Sequence, residues 1–382
     1  MDISTDEVTW ESRRARLAAS LDTADPICAA FAAVPRHLFI PERVWPELVG
    51  PALDRTADPR AWADLVYSDT PVTTEVNDGA EGRVNRPSSS SSMPSVMAKM
   101  IEAAAIGPGM RVLEIGTATG YNAAVLKHLV GADGHVVTVE IAPHLASSAR
   151  RALHAAGYAV EVLTGDGAGD HAAGAPFDAV VATCAVVRVP SGWLRRTWPG
   201  GVVVVPWKPG AALPGGLLAR LVVDAGGGAR GGFTGGTSFM LIRSQRWRGR
   251  FHGDVARPEH VRTCADDPCR VVTDDDSGPV LAMMVPHWQW APRRAADGSV
   301  FVAVSATDGP SWARLYPDGR VEQGGPRRLW DELESAHLRW ERLGRPGITG
   351  FGLTVAADGA HTVWLGDPAG PSWEQPPDAG PG

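Results

Sequence analysis

One segment constrains the fold of this chain more than any other: Arg111-Val-Leu-Glu-Ile-Gly-Thr-Ala-Thr-Gly-Tyr-Asn-Ala-Ala-Val-Leu126. An aliphatic run ends at Ile115, a Gly-x-x-x-Gly loop follows at Gly116 and Gly120, and an Ala-rich stretch opens at Tyr121. A strand, a tight glycine loop and a helix in that order bring bare backbone to the carboxyl edge of a sheet, where a ligand can approach it. The segment is one of a series. Apolar runs at 112–115, 136–139, 160–163, 179–183 and 202–205 are interspersed with helical stretches at 121–130 and 143–156. Aliphatic strands separated by helices predict βαβ units and an α/β fold, a mostly parallel sheet with helices on both faces.

The loop chemistry narrows the ligand. A dinucleotide cradle needs G-x-G-x-x-G, but Ala118 and Tyr121 occupy two of those glycine positions. The second strand ends in Glu140, where an acid can take both ribose hydroxyls of a nucleoside. The third ends in Gly165-Asp166-Gly167. Together, Glu-x-Gly-x-x-x-Gly, the ribose acid and the Gly-Asp-Gly resemble the class I S-adenosylmethionine-dependent methyltransferases. That resemblance implies a Rossmann-like sheet and S-adenosyl-L-methionine as cofactor. It places Glu114, Gly116, Thr117, Gly120, Tyr121, Glu140, Asp166 and Gly167 on the cofactor side.

Further segments sharpen the likeness. Val34-Pro-Arg-His-Leu-Phe-Ile-Pro41, Tyr67-Ser-Asp69, Ala175-Pro-Phe-Asp-Ala179 and Pro199-Gly-Gly-Val-Val-Val-Val-Pro206, with the glycine segment, are similar to protein-L-isoaspartate O-methyltransferases over roughly residues 25–210. That family carries Ser-Gln-Pro before its glycine loop; here Ser92-Met93-Pro94 closes the serine run 88–92. The resemblance implies that Ser92, with Ser91, orients the acceptor carboxylate, and that Tyr67 and Thr183 contact the acceptor. By composition alone the serine run reads as a flexible linker. Arg36-His37 reads as a structural clamp on the N-terminal segment. The sequence departs from the family at Met93, at Ala118 and at Thr183-Cys-Ala185 in place of Thr-Ala-Ala. It also continues for about 140 residues beyond the methyltransferase region.

The 382 residues fit two or three domains. Residues 1–80 read as an N-terminal segment on the substrate side, with a helix at 8–21; 81–245 read as the methyltransferase domain. Residues 246–382 read as a smaller α+β accessory domain for substrate recognition. It holds eight of the fourteen tryptophans, two hairpins with Asp-Gly turns and a helix bearing Leu329, Trp330, Leu333, His337 and Trp340. Core packing is the simplest reading of those tryptophans. The Gly-rich 225–232 reads as a loop, and the tail from 368 to 382 as disordered.

A net charge of −7 argues against nucleic acid as the partner. No apolar run approaches a membrane span and the N-terminus lacks a cationic-then-apolar leader, so a cytoplasmic protein without a membrane partner is expected. Cys28, Cys184, Cys264 and Cys269 form no C-x-x-C pair, and Asp274-Asp275-Asp276 reads as a solvated turn, so no metal site is expected. The serine run and Trp-rich extension resemble a divergent branch that accompanies ribosomally made peptides of the lanthipeptide, lasso-peptide and ATP-grasp-linked (graspetide) classes. That branch implies methylation of an ordinary Asp in a cyclised precursor peptide, the ester closing to aspartimide and on to isoaspartate. Isoaspartyl repair is the alternative within the same chemistry. A non-catalytic peptide-binding scaffold is the alternative outside it.

Overall fold

The computed structural model describes residues 4–377 apart from 48, 81, 83, 170–174, 211–214, 247–250, 253–256 and 296–297. The chain divides into two units. One comprises Met1–Cys184 with Gly192–Val205, the other Ala185–Ser191 with Pro206–Gly382.

In the first unit, α1 (Ser4–Ala19) and α2 (Asp25–Ala33) precede a short pair, β1 (Arg43–Val44) and β2 (Leu53–Asp54), and then α3 (Pro59–Val66). An antiparallel hairpin follows, β3 (Val72–Val76) with β4 (Pro87–Ser91). It leads into α4 (Pro94–Ala103), β5 (Arg111–Ile115), α5 (Tyr121–Val130), β6 (His135–Glu140), α6 (Pro143–Ala155), β7 (Glu161–Thr164) and β8 (Phe177–Ala182). After α7 (Ser191–Arg195) comes β9 (Thr197–Trp207), whose last two residues belong to the second unit.

The strands of this unit lie in the order β7-β6-β5-β8-β9, every neighbour parallel. The predicted class I methyltransferase sheet is therefore present. Val112, Leu113 and Ile115 on β5 are at most 2% exposed, and each such aliphatic side chain contributes about 1.5–3 kcal/mol on burial. The order runs outward from β5 through β6 to β7, then returns to β8 on the other side of β5. The carboxyl ends at that reversal are where such sheets hold their ligands.

The serine run is not a linker. Residues 88–91 belong to β4, with Ser91 opposite Val72 and Ser90 opposite Thr73. This hairpin also carries the first unit across the expected division at residue 80.

The second unit takes in Ala185–Ser191 and then everything from Pro206, well before the expected division near 246. The reason is a long-range pairing. Strands β10 (Gly216–Val223) and β11 (Ala229–Thr237) form a hairpin, and β11 pairs with the much later β17 (Phe351–Val355). Between them lie β12 (His260–Thr263), α8 (Pro268–Thr273), α9 (Ser277–Met284), β13 (Trp288–Arg294), β14 (Val300–Ala306), β15 (Trp312–Leu315), β16 (Arg320–Gly324) and α10 (Leu329–Arg342). Beyond β17 come β18 (His361–Leu365) and β19 (Ser372–Gln375). Within this unit β19-β18-β17-β11-β10 run antiparallel, and β12-β16-β15-β14-β13 form a second antiparallel sheet.

Both Asp-Gly hairpins and the α10 stripe appear as expected. Trp288, Trp312, Trp330 and Trp340 are core residues, Trp290, Trp364 and Trp373 are half-buried, and Trp247 lies outside the described residues. Two expectations need correction. The Gly-rich loop is half strand, because β11 starts at Ala229. The tail is ordered through β19, which pairs along β18 while Gln375 Nε2 donates to the Met283 carbonyl at 2.7 Å. The rest of that disorder expectation, 378–382, lies outside the described residues.

Gly352 exposes how tightly the β17–β18 pairing is packed. A Cβ there would sit 2.2 Å from the Trp364 ring and 2.6 Å from the Gly231 carbonyl oxygen. Overpacking of this kind costs about 1–3 kcal/mol or more. Gly352→Ala is expected to lower the denaturation midpoint, and Gly347→Ala, with nothing within 4 Å, to leave it nearly unchanged. Equal midpoints for the two variants would contradict this packing.

Candidate active site

The β5–α5 turn is shaped by backbone that side chains would obstruct. Gly116 has φ +100°, and a Cβ there would lie 2.7 Å from Thr183 Oγ1. Gly120 caps α5 with φ +87° and donates to the Thr117 carbonyl at 2.8 Å. Ala118 keeps the left-handed conformation, φ +46°, although it is not glycine. Its N–H donates to Glu140 Oε2 at 2.9 Å, which offsets the strain of an L-residue in that region.

Three acids stand at successive strand ends, and they differ in what they face. Glu140 also accepts the Ala142 N–H through Oε1 at 3.0 Å. Each carboxylate oxygen thus spends one lone pair on backbone and keeps one for a ligand hydroxyl. Asp166 accepts the Ala168 N–H at 3.0 Å, and the Gly167 carbonyl accepts the Trp193 indole N–H at 2.8 Å. Glu114, expected on the cofactor, is instead fully buried beneath the loop and accepts from Asn122 Nδ2 at 2.7 Å and Thr138 Oγ1 at 2.6 Å. Thr117 likewise spends its hydroxyl on Thr138, 2.7 Å away. Cys184 lies near the three acids, and burial followed by their charges pushes its thiol up to about 12, which disfavours the thiolate.

Burial pushes the Glu114 carboxyl up to about 7, against the pull of its Thr138 and Asn122 hydrogen bonds, with the Glu140 charge adding to the rise. Between its ordinary 4.5 and about 7 the native protein holds this proton while the unfolded chain has released it. Stability therefore falls as pH rises through that window. Glu114→Gln stays neutral and is expected to flatten the fall of Tm with pH there; a slope matching the wild type would contradict the assignment.

Ser90, Ser91, Ser92, Met97, Thr119, Asn122 and Thr183 line, with the glycine loop and Tyr121, a narrow cleft. Ser92 sits between the end of β4 and Pro94, the first residue of α4, and its hydroxyl has no partner among the described residues. Asp69 fixes that junction by accepting the Ser95 N–H at 2.8 Å. Thr183 lines the cleft but donates its hydroxyl inward, toward the carbonyls of Gly116 at 2.6 Å and Ile115 at 3.1 Å. Tyr67, expected at the acceptor, is not brought to the cleft. Its hydroxyl is 2.6 Å from His37 Nδ1, and its ring packs near Trp10. The Tyr121 ring packs beside Phe31 and Phe39.

The residues present fit S-adenosylmethionine on two counts. The Gly116 backbone is left-handed, φ +100°, and bare, which leaves the loop open to close approach by a ligand. Asn122 Oδ1 and Tyr121 Oη are buried with no hydrogen-bond partner among the described residues. The sequence did not single out Asn122 or Met97; Asn122 follows Tyr121 on α5, and that adjacency to the loop is the one signal it offers.

Comparison with known proteins points the same way. Residues 52–213 match the family described as Protein-L-isoaspartate(D-aspartate) O-methyltransferase (PCMT). A protein-L-isoaspartate O-methyltransferase of Ignicoccus hospitalis is 38% identical over 181 residues, 47% of this chain and 72% of that protein. One from Gloeobacter violaceus is 39% identical over 184 residues, 48% of this chain and 74% of that protein. A solved structure named protein-L-isoaspartate O-methyltransferase shares the fold at TM-score 0.56 and 22% identity, covering 94% of this chain and all of that one.

Proposed function

The chain belongs to the protein-L-isoaspartate O-methyltransferase family, and on that premise we propose that it esterifies the side-chain carboxylate of an Asp in a cyclised, ribosomally made precursor peptide. The observation that carries the proposal is the acceptor wall. Three consecutive serines, Ser90, Ser91 and Ser92, line the cleft beside the glycine loop.

An Asp carboxyl has a pKa near ~3.9, so the attacking oxygen is ionised at neutral pH and no general base is required. When bound, S-adenosylmethionine supplies an electrophilic methyl group on a sulfonium. Glu140 and Asp166 would hold the nucleoside end, and the 116–120 backbone would receive the rest of the cofactor. Ser92 orients the acceptor oxygen so that oxygen, carbon and sulfur align within about 3–3.5 Å. Hydroxyls suit this work, because they hold a carboxylate without the tight bidentate pairing of an arginine. The ester product is a better electrophile than the acid. The following backbone nitrogen attacks it, methanol leaves, and a succinimide closes.

The second unit is assigned to substrate selection, holding a peptide whose shape the macrocycle has already fixed. The second reading, isoaspartyl repair, is favoured by the names of the relatives. Mass spectrometry of candidate cyclised peptides with S-adenosylmethionine tests the first. The expected product gains one methyl group and then loses methanol; no mass change on any aspartyl peptide counts against it.

A further inference from the structure

Arg36 is 0% exposed, yet among the described residues no carboxylate hydrogen-bonds to it. Its donors go to neutral groups. Nη1 reaches the carbonyls of Val66 at 2.9 Å and Ser68 at 3.2 Å. Nη2 reaches those of Thr70 at 3.3 Å, Ser91 at 3.4 Å and Ser92 at 3.0 Å. Nε and Nη2 also reach Ser91 Oγ, at 3.4 and 3.3 Å. The Asp69 charge is felt, but its Oδ1 is engaged by Ser95. Burial lowers the guanidinium to about 10, so it remains a cation at neutral pH.

A hydroxyl has two lone pairs and one proton. With its lone pairs turned to the guanidinium, Ser91 must direct its O–H elsewhere, and no described residue accepts it. Ser91 lines the cleft. Its O–H is therefore a donor polarised by a buried cation. A buried cation whose hydrogen bonds all go to neutral groups, with Asp69 acting only through space, is incompletely compensated, and an anion in the cleft complements it.

We propose that Arg36 is a positioning residue that acts through Ser91, making the acceptor wall select a carboxylate anion over its neutral forms. The inference rests on the carboxyl-methylation reading above and adds a consequence. Methyl transfer neutralises the acceptor, so the same wall that draws in the acid releases the ester. It also excludes Asn, whose amide offers a donor where the wall offers another.

The test uses the full chain with S-adenosylhomocysteine bound. The probes are a short head-to-tail cyclic peptide with one Asp-Gly step, its linear isoaspartyl counterpart and the amide form of each. Calorimetry is expected to show the wild type preferring acid over amide by about tenfold or more. Ser91→Ala is expected to bring that ratio close to one with unchanged S-adenosylhomocysteine affinity, and Ser91→Thr to restore it. Arg36→Lys is expected to reduce the ratio with Ser91 intact; should it fail to fold, the Ser91 pair still decides. If Ser91 only satisfies Arg36 structurally, Ser91→Ala lowers Tm and leaves the ratio alone, which overturns the inference. Failure of the wild type to bind any acid probe overturns the functional reading and the inference with it.

Discussion

Glu140→Ala is expected to weaken S-adenosylmethionine binding by about two orders of magnitude or more, since hydrogen bonds to a charged group are worth ~1.5–3 kcal/mol each and two ribose hydroxyls are at stake. The geometry adds a second loss. Glu140 accepts the N–H of Ala118 and of Ala142, so its removal also frees the one strained residue of the glycine loop, Ala118 at φ +46°. Glu140→Gln, which keeps one acceptor oxygen, is expected to fall between the wild type and alanine. Titration calorimetry on folded variants checks the order. An unchanged Kd for Glu140→Ala would remove the ribose assignment.

Ser92→Ala is expected to lower kcat/KM by about ten- to a hundredfold while S-adenosylmethionine affinity stays within about twofold of the wild type. The split follows from placement. Ser92 contributes its carbonyl to Arg36 through the backbone, which alanine retains, and its hydroxyl has no partner among the described residues to lose. On the proposed reading, what alanine removes is a contact to the acceptor alone. Steady-state kinetics on one peptide with the wild type and Ser92→Ala measures it, and full activity in Ser92→Ala would leave the hydroxyl without a role.

Much of this site is legible in the sequence because it is local. The strand, glycine loop and helix at 111–130 occupy consecutive residues, β6 ends in Glu140, and Asp166 follows two residues after the end of β7. What sequence reading misses depends on distant contacts or on side-chain direction. Arg36 and Ser91 are 55 residues apart, so nothing in either segment announces that one polarises the other. The second unit reaches back before 246 because Gly231 pairs with Leu353, a register that no local pattern encodes. Glu114 lies on a strand buried on both faces, where periodicity does not say which side faces the ligand. Tyr67 matches an acceptor-side segment by order, but the aromatic cluster around Trp10 and Trp62 takes its ring.

The central claim is that the cleft methylates an Asp carboxylate of a macrocycle. It is tested most directly by kcat/KM for methyl transfer to the cyclic and linear forms of one Asp-containing precursor and to a generic isoaspartyl peptide. A linear chain loses more conformational freedom on binding than one already closed, so the account predicts the cyclic form fastest, the linear form slower and the isoaspartyl peptide slowest. Equal rates on the cyclic and linear forms, or a faster rate on the isoaspartyl peptide, would contradict it.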